Sequence, residues 1–150
     1  MIIRKANLND LDNNLLKIYI DGFRLHYNGR PDVFTNKFDS ELKEDLIDTI
    51  KKDDSVIVLE DENEIKGFLI YQIKERHSKT MWVDQLVVSE KDRHKGYGKI
   101  LMNEIDKLAK KENCIRIEFC CWSFNNNAMN MYKHIGFDEQ RVIFEKNVKY

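Results

Sequence analysis

The sequence predicts a mixed α/β (α+β) fold, in which a central mixed, twisted sheet of about six to seven strands is flanked by about four helices. Three observations carry this expectation. Apolar residues recur at helical spacing in several separated stretches, with short strand-like apolar runs between them. The elements follow one another in the order β-α-α-β-β-β-α-β-α-β. One stretch reads as strand, helix, strand, a crossover that should leave its two strands neighbouring and parallel.

Taken in order, "IIRKA" is a short strand, and "NLND" after it is a helix-start signal. Leu11, Leu15, Ile18, Tyr19, Gly22 and Leu25 then line one helical face. "HYNGRPDVFTNKF" breaks that rhythm around the chain's one proline, Pro31, and is expected as a loop. Asp39 or Ser40 should cap a second helix with the stripe Leu42, Leu46, Thr49 and Ile50. "SVIVLE" and "EIKGFLIYQI", joined by "DENE", make a hairpin, and "TMWVDQLVV" is the next strand. Residues 96–112 form a helix with Ile100, Leu101, Ile105, Leu108 and Ala109 inward and Asn103, Asp106, Lys107, Lys110 and Lys111 in water. "CIRIEFCCW" is a strand. Residues 125–135 form the last helix, with Ala128, Met131, Tyr132 and Ile135 aligned and Gly136 ending it in the left-handed conformation. "EQRVIFEKNV" closes as a final strand.

Composition narrows the function classes. The 150 residues hold no repeat, linker or low-complexity tract, so a single domain, 1–150, is expected. A net charge of −1, with no basic stripe of interleaved aromatics, argues against nucleic acid or an anionic membrane as partner. No apolar run nears the roughly 20 residues of a membrane span, and "MIIRKANLND" lacks a signal peptide's apolar region. Cys114, Cys120 and Cys121 are odd in number and two are adjacent, while His26, His77, His94 and His134 are scattered. Neither set suggests disulfides or a metal site, and reduced cysteines fit a cytoplasmic location.

The most informative stretch is "RHKGYGK", 93–99, which places two of the chain's six glycines one residue apart between a strand and a helix. It is no Walker A loop, which needs Gly at 93 and Ser or Thr at 100, where Arg93 and Ile100 stand. It is no dinucleotide fingerprint either, since Leu101 occupies the third glycine's place. What remains is a strand end followed by Arg-x-x-Gly-x-Gly and a helix. The first N–H groups of that helix have no intrahelical partner and carry the positive end of its dipole. Without a Cβ at 96 and 98, a phosphate could approach them, with Arg93, His94, Lys95 and Lys99 at the rim. By itself the pattern fits a pyrophosphate site and the ordinary start of a helix equally.

Arg93-His94-Lys95-Gly96-Tyr97-Gly98 after "DQLVV" resembles the Arg/Gln-x-x-Gly-x-Gly/Ala segment of the GNAT superfamily of acetyl-CoA-dependent N-acetyltransferases. "NNNAMNMYKHIGF" resembles that superfamily's Asn-x-x-Ala-x-x-x-Tyr-x-x-x-Gly-Phe helix at Asn125, Ala128, Tyr132, Gly136 and Phe137. The element order fits the same fold. The resemblance implies transfer of the acetyl group of acetyl-CoA to a primary amine in a ternary complex, with coenzyme A as product and no metal. It implies cofactor contacts at Leu86, Val87 and Val88, where two parallel strands splay, at Arg93, His94, Lys95, Gly96, Tyr97, Gly98 and Lys99, and at Asn125.

Tyr132 is the expected general acid to the departing sulfur, because a phenol with a pKa of about 10 keeps its proton at neutral pH. Asp84, expected on one strand face with Trp82, Leu86 and Val88, and Glu118, which alternates with Arg116 and Cys120, are the candidate bases; either could equally be an ion-pair partner. A covalent route through Cys120 or Cys121 lacks a partner base. Arg30, Asp32, Phe34 and Trp82 are candidates to line the site of a small-molecule or peptide amine, although Arg30 could instead pair with Asp32. The last strand and exposed aromatics leave room for a homodimer. A non-catalytic acyl-CoA-binding or sensing module on the same fold is the alternative.

Overall fold

Short connections between sequence neighbours dictate antiparallel pairing, and most of the sheet is built this way. The computed structural model describes residues 1–52 and 55–148, which fall into two compact units, Met1–Cys120 and Cys121–Tyr150. The first unit holds one five-stranded sheet of β1 (Ile2–Lys5), β2 (Val56–Asp61), β3 (Glu64–Glu75), β4 (Lys79–Val88) and β5 (Arg116–Glu118), in that spatial order. The first four strands pair antiparallel. β5 pairs parallel to β4, as the strand-helix-strand crossover requires. Between β2 and β3, Glu62 and Asn63 take left-handed φ values of 53° and 61°, a two-residue turn whose twist suits a hairpin.

Helices α1 (Leu15–Gly29), α2 (Asp39–Lys52) and α3 (Tyr97–Lys111) belong to the same unit. Leu15 and Ile18 of α1 and Leu46 of α2 close over Val56, Val58, Ile65, Phe68 and Ile70 of the sheet. Each such fully buried apolar side chain stabilises by roughly 1.5–3 kcal/mol. Leu101, Ile105 and Ala109 bury the inner face of α3, as its spacing predicts. Gly22 lets α1 lie close on β4, because a Cβ there would stand 3.1 Å from Val87 Cγ2. The second unit contains α4 (Asn126–His134), ended by Gly136 at φ 102°.

Several boundaries depart from the sequence expectation. "NLND" forms a 3-10 turn, Leu8–Leu11, closed by a reciprocal cap between Asn7 and Asp10, and α1 starts later, after Asn14 turns left-handed at φ 76°. α1 then runs through His26 to Gly29, so the predicted loop begins at Arg30. Neither Asp39 nor Ser40 precedes α2. Phe38 takes that place, its carbonyl accepting from the Glu41 and Leu42 N–H groups while the Glu41 carboxylate accepts from the Phe38 N–H at 3.0 Å.

Among the described residues the sheet has five strands, where six to seven are expected from the sequence. Among the same residues, "CIRIEFCCW" contributes Arg116–Glu118 to the ladder with β4. Residues 138–148, as described, are assigned to no strand, so the expected final strand is not confirmed.

Candidate functional site

The site is built around a defect in β4. Ile70 pairs with Gln85 but Tyr71 with Val83, so Asp84 is the extra residue of a β-bulge. A bulge bends its strand and raises the local twist. Trp82 is the last residue of β4 opposite β5, with Glu118 as its partner. Beyond it, β4 keeps its pairs with β3 at Leu86, Val87 and Val88, while β5 no longer accompanies it. Among the described residues, the pairing of the two parallel strands stops here.

The bulge also corrects an expectation about facing. Its register puts Trp82 and Val87 on one face and Leu86 and Val88 on the other. Val87 meets Gly22 of α1, whereas Val88 and Leu101 of α3 meet beside Gly67 on the opposite side. Strict alternation, which places Trp82, Asp84, Leu86 and Val88 together, fails at the inserted residue.

Asp84 is exposed and accepts from Gln72 Nε2 at 3.0 and 3.1 Å on its two oxygens. Lys74 Nζ lies 4.0 Å above the Trp82 ring. Glu118 accepts from Arg116 Nε at 2.8 Å, the ion pair foreseen as its alternative role.

After β4 the chain turns sharply. The Ser89 N–H donates to the Lys66 carbonyl at 2.8 Å, and Glu90–Asp92 form a 3-10 turn. His94 and Gly96 both take left-handed backbone conformations, φ 64° and 87°. Alternation of that kind turns successive N–H groups into one concavity. The first helical bond of α3 runs from the Ile100 N–H to the Gly96 carbonyl, which leaves the Tyr97, Gly98 and Lys99 N–H groups without an intrahelical partner. A Cβ at Gly96 would meet nothing within 4 Å, so the space before these groups is open. At Gly96 the turn demands positive φ, and the space beside it is open.

Arg93, His94 and Lys99 are exposed, and among the described residues they form no ion pair or side-chain hydrogen bond. Two neighbours are tied to the protein instead. Lys95 Nζ donates to Asp92 Oδ1 at 3.0 Å, and the Tyr97 hydroxyl donates to Asp61 Oδ2 at 2.8 Å. That last bond holds the Asp61 carboxyl below its usual range and lifts the Tyr97 phenol above its own. Gly98 is buried in the first turn of α3. The arrangement presents backbone donors, a helix dipole and free cations to an anion.

In the loop after α1, Arg30 and Asp32 pair through two hydrogen bonds of 3.0 and 2.9 Å, and the Phe34 ring stands 5.7 Å from that of His26. The guanidinium holds the Asp32 carboxyl low. A hollow of the first unit, about 650 Å³, is lined by Leu11, Asn14, Leu16, Lys17 and Ile20 among others and includes none of the predicted site residues.

In the second unit, the Asn125 Oδ1 accepts from the Ala128 N–H at 3.3 Å and caps α4. Tyr132 is half-buried and meets the edge of Phe137 at 6.3 Å. Burial pushes its phenol well above the ordinary value.

Sequence reasoning missed the charges beneath the glycine turn. Lys66 is 5% exposed and Asp92 2%. Lys66 pairs with Glu64 at 2.9 Å and lies 3.7 Å from Asp92, and Glu64 also accepts from Lys91 at 2.7 Å. A lysine inside the apolar run "EIKGFLI" was the available signal. Asp92, set in "EKDRHK", looks like any surface charge. Among the described residues, no group of three or more His, Cys, Asp or Glu side chains could hold a metal, and no helix is long and apolar enough to cross a membrane.

Comparison with known proteins places this geometry. L-ornithine N5-acetyltransferase NATA1 of Arabidopsis thaliana is 33% identical over 64 residues, 41% of this chain but only 28% of that protein's length. A tetramutant of the BH1408 protein from Bacillus halodurans has a similar structure, with a TM-score of 0.86, 23% identity, and coverage of 99% of this chain and 100% of that one. The PaiA N-acetyltransferase of Thermoplasma acidophilum, solved in complex with coenzyme A, aligns with a TM-score of 0.73 and 20% identity over 91% of this chain and 89% of that one. These two likenesses are of fold. The model of the acetyltransferase (GNAT) family matches residues 15–137, through the parallel strands, the glycine turn and the tyrosine helix alike, and the chain therefore belongs to that family.

Proposed function

We propose that this acyltransferase moves the acetyl group of acetyl-CoA directly to a primary amine, with both substrates bound together. The carrying observation is the open row of N–H groups at the start of α3, behind Gly96 at φ 87°. A diphosphate fits this place: among the described residues the donors have no partner, the dipole has the right sign, and Arg93 and Lys99 add charge, with the exposed His94 beside them. Lys95 and Tyr97 contribute through backbone, since their side chains are occupied.

Acetyl-CoA supplies an acyl thioester, already activated for attack. The chain's own residues do the rest. The β4 edge at Leu86, Val87 and Val88, past its pairs with β5, offers ladder donors and acceptors to an amide-bearing arm, and an N–H near Val88 polarises the acyl oxygen. Asn125 caps α4 and hydrogen-bonds the arm. Tyr132 gives its proton to the departing sulfur, and its burial suits it, since the acid form persists to high pH. Asp84 is the better-placed base: it is exposed and held by a neutral amide donor, whereas Glu118 is engaged by Arg116.

For the acceptor, Trp82 offers an aromatic wall on the face of Asp84. Arg30 and Asp32 satisfy one another, and Phe34 is the apolar residue of that loop. A carboxylate beside the site favours a small cationic amine, a class to which the ornithine named for the Arabidopsis relative belongs. The test is release of free thiol from acetyl-CoA with a panel of diamines, amino acids and peptides. Turnover with at least one small cationic amine is expected. A raised melting temperature with acetyl-CoA but no turnover with any amine would instead indicate a binding or sensing module.

A further inference from the structure

We propose that Gln72 is a positioning residue for acetyl transfer: its side-chain amide holds the Asp84 carboxylate in the attitude that receives a proton from the incoming ammonium. This rests on the reading of Asp84 as the base. The starting point is the bulge. Asp84 is the residue of β4 that the ladder leaves over, between the pair of Ile70 with Gln85 and that of Tyr71 with Val83. A left-over residue has no cross-strand partner to pack against, so its side chain lacks the restraint that its neighbours share. Gln72 supplies that restraint. It stands in register opposite Trp82, and from there its Nε2 donates to Asp84 Oδ1 at 3.0 Å and to Oδ2 at 3.1 Å. Engaging both oxygens keeps the carboxylate from rotating.

The chemistry of the donor matters as much as its place. A carboxylate offers about four acceptor positions, so one amide group leaves others for a substrate ammonium. The amide is also uncharged, and the negative charge of Asp84 is not offset by it. The contrast lies on the next strand. Glu118, the register partner of Trp82, accepts from the Arg116 guanidinium at 2.8 Å, and its charge is balanced there. Lys74, two residues along β3 from Gln72 and on the same face, is directed elsewhere: its ammonium lies 4.0 Å over the Trp82 ring. A structural contact has no need of a neutral donor, whereas a base that must attract a cation does.

Single-turnover transfer from acetyl-CoA to small cationic amines tests this in the full chain. Gln72→Met keeps the length of the side chain and removes the donor. The rate should fall about tenfold with acetyl-CoA affinity and circular dichroism unchanged. In an Asp84→Asn background the same substitution should cost nothing further, because the group it positions is gone. A wild-type rate in Gln72→Met, or losses that multiply in the double variant, overturns the proposal and leaves Asp84 as the base. A full rate in Asp84→Asn, or no transfer to any amine, overturns the reading beneath it and the proposal together. Nuclear magnetic resonance of the side-chain amides needs neither turnover nor a Gln72 variant. The Gln72 NH₂ signals should move in Asp84→Asn, and signals that stay in place overturn the proposal.

Discussion

Lys66 on β3 and Asp92 in the turn after β4 hold opposite charges 3.7 Å apart, with side chains only 6% and 3% exposed. Asp92 also anchors Lys95, so the turn that carries Gly96 is tied to the sheet through this pair. Its second oxygen, Oδ2, is buried with no hydrogen-bond partner among the described residues.

Asp92→Asn should therefore cost about 3 kcal/mol or more, because it leaves a buried ammonium with one anion fewer. Chemical denaturation measures this. Coenzyme A affinity should fall with it, as the turn loses its anchor. An unchanged unfolding midpoint would show that the pair does not hold the turn.

Gly96 separates strain from ligand contact. Gly96→Asn keeps a residue that tolerates positive φ, so its stability cost should stay below about 1 kcal/mol, whereas Gly96→Val should cost more. Neither side chain meets protein, because the space is open. Both should weaken coenzyme A binding at least about tenfold, equivalent to about 1.4 kcal/mol. Calorimetric titration checks this, and full affinity in both variants would remove the phosphate role.

Tyr132→Phe should lower kcat by about 100-fold with acetyl-CoA affinity nearly unchanged, the signature of a proton donor. Because burial raises the phenol's pKa, its acid form persists as pH climbs past about 10. The wild-type kcat should thus show no loss from this group on the alkaline side up to that point. A kcat unchanged in the phenylalanine variant would contradict the assignment, while an alkaline decline near pH 9 that disappears in that variant would contradict only the raised pKa.

Asp84→Asn should reduce kcat/KM at neutral pH by about 100-fold, and the deficit should shrink as pH approaches the amine's own pKa of about 10. Free amine then needs no base. Glu118→Gln should lose less, since its carboxylate already serves Arg116. Rate profiles of both variants across pH decide between them. A deficit for Asp84→Asn that is constant with pH would indicate a structural role beside Gln72.

What was legible in advance was local. The inward faces of α1, α2 and α3, the left-handed Gly136 and the two-residue turn at Glu62 and Asn63 all follow from spacing and backbone freedom within a few residues. The glycine turn was legible for the same reason: Gly96 and the unpaired N–H groups behind it are properties of one helix start.

Only the tertiary structure decided how β4 faces. The bulge at Asp84 turns Leu86 and Val88 away from the Trp82 face. Whether the apolar run ending at Val148 is a strand is set by whatever lies beside it, because periodicity cannot name that neighbour. Burial of Lys66 and Asp92 belongs to the same class, since a charge becomes interior only when distant segments close over it.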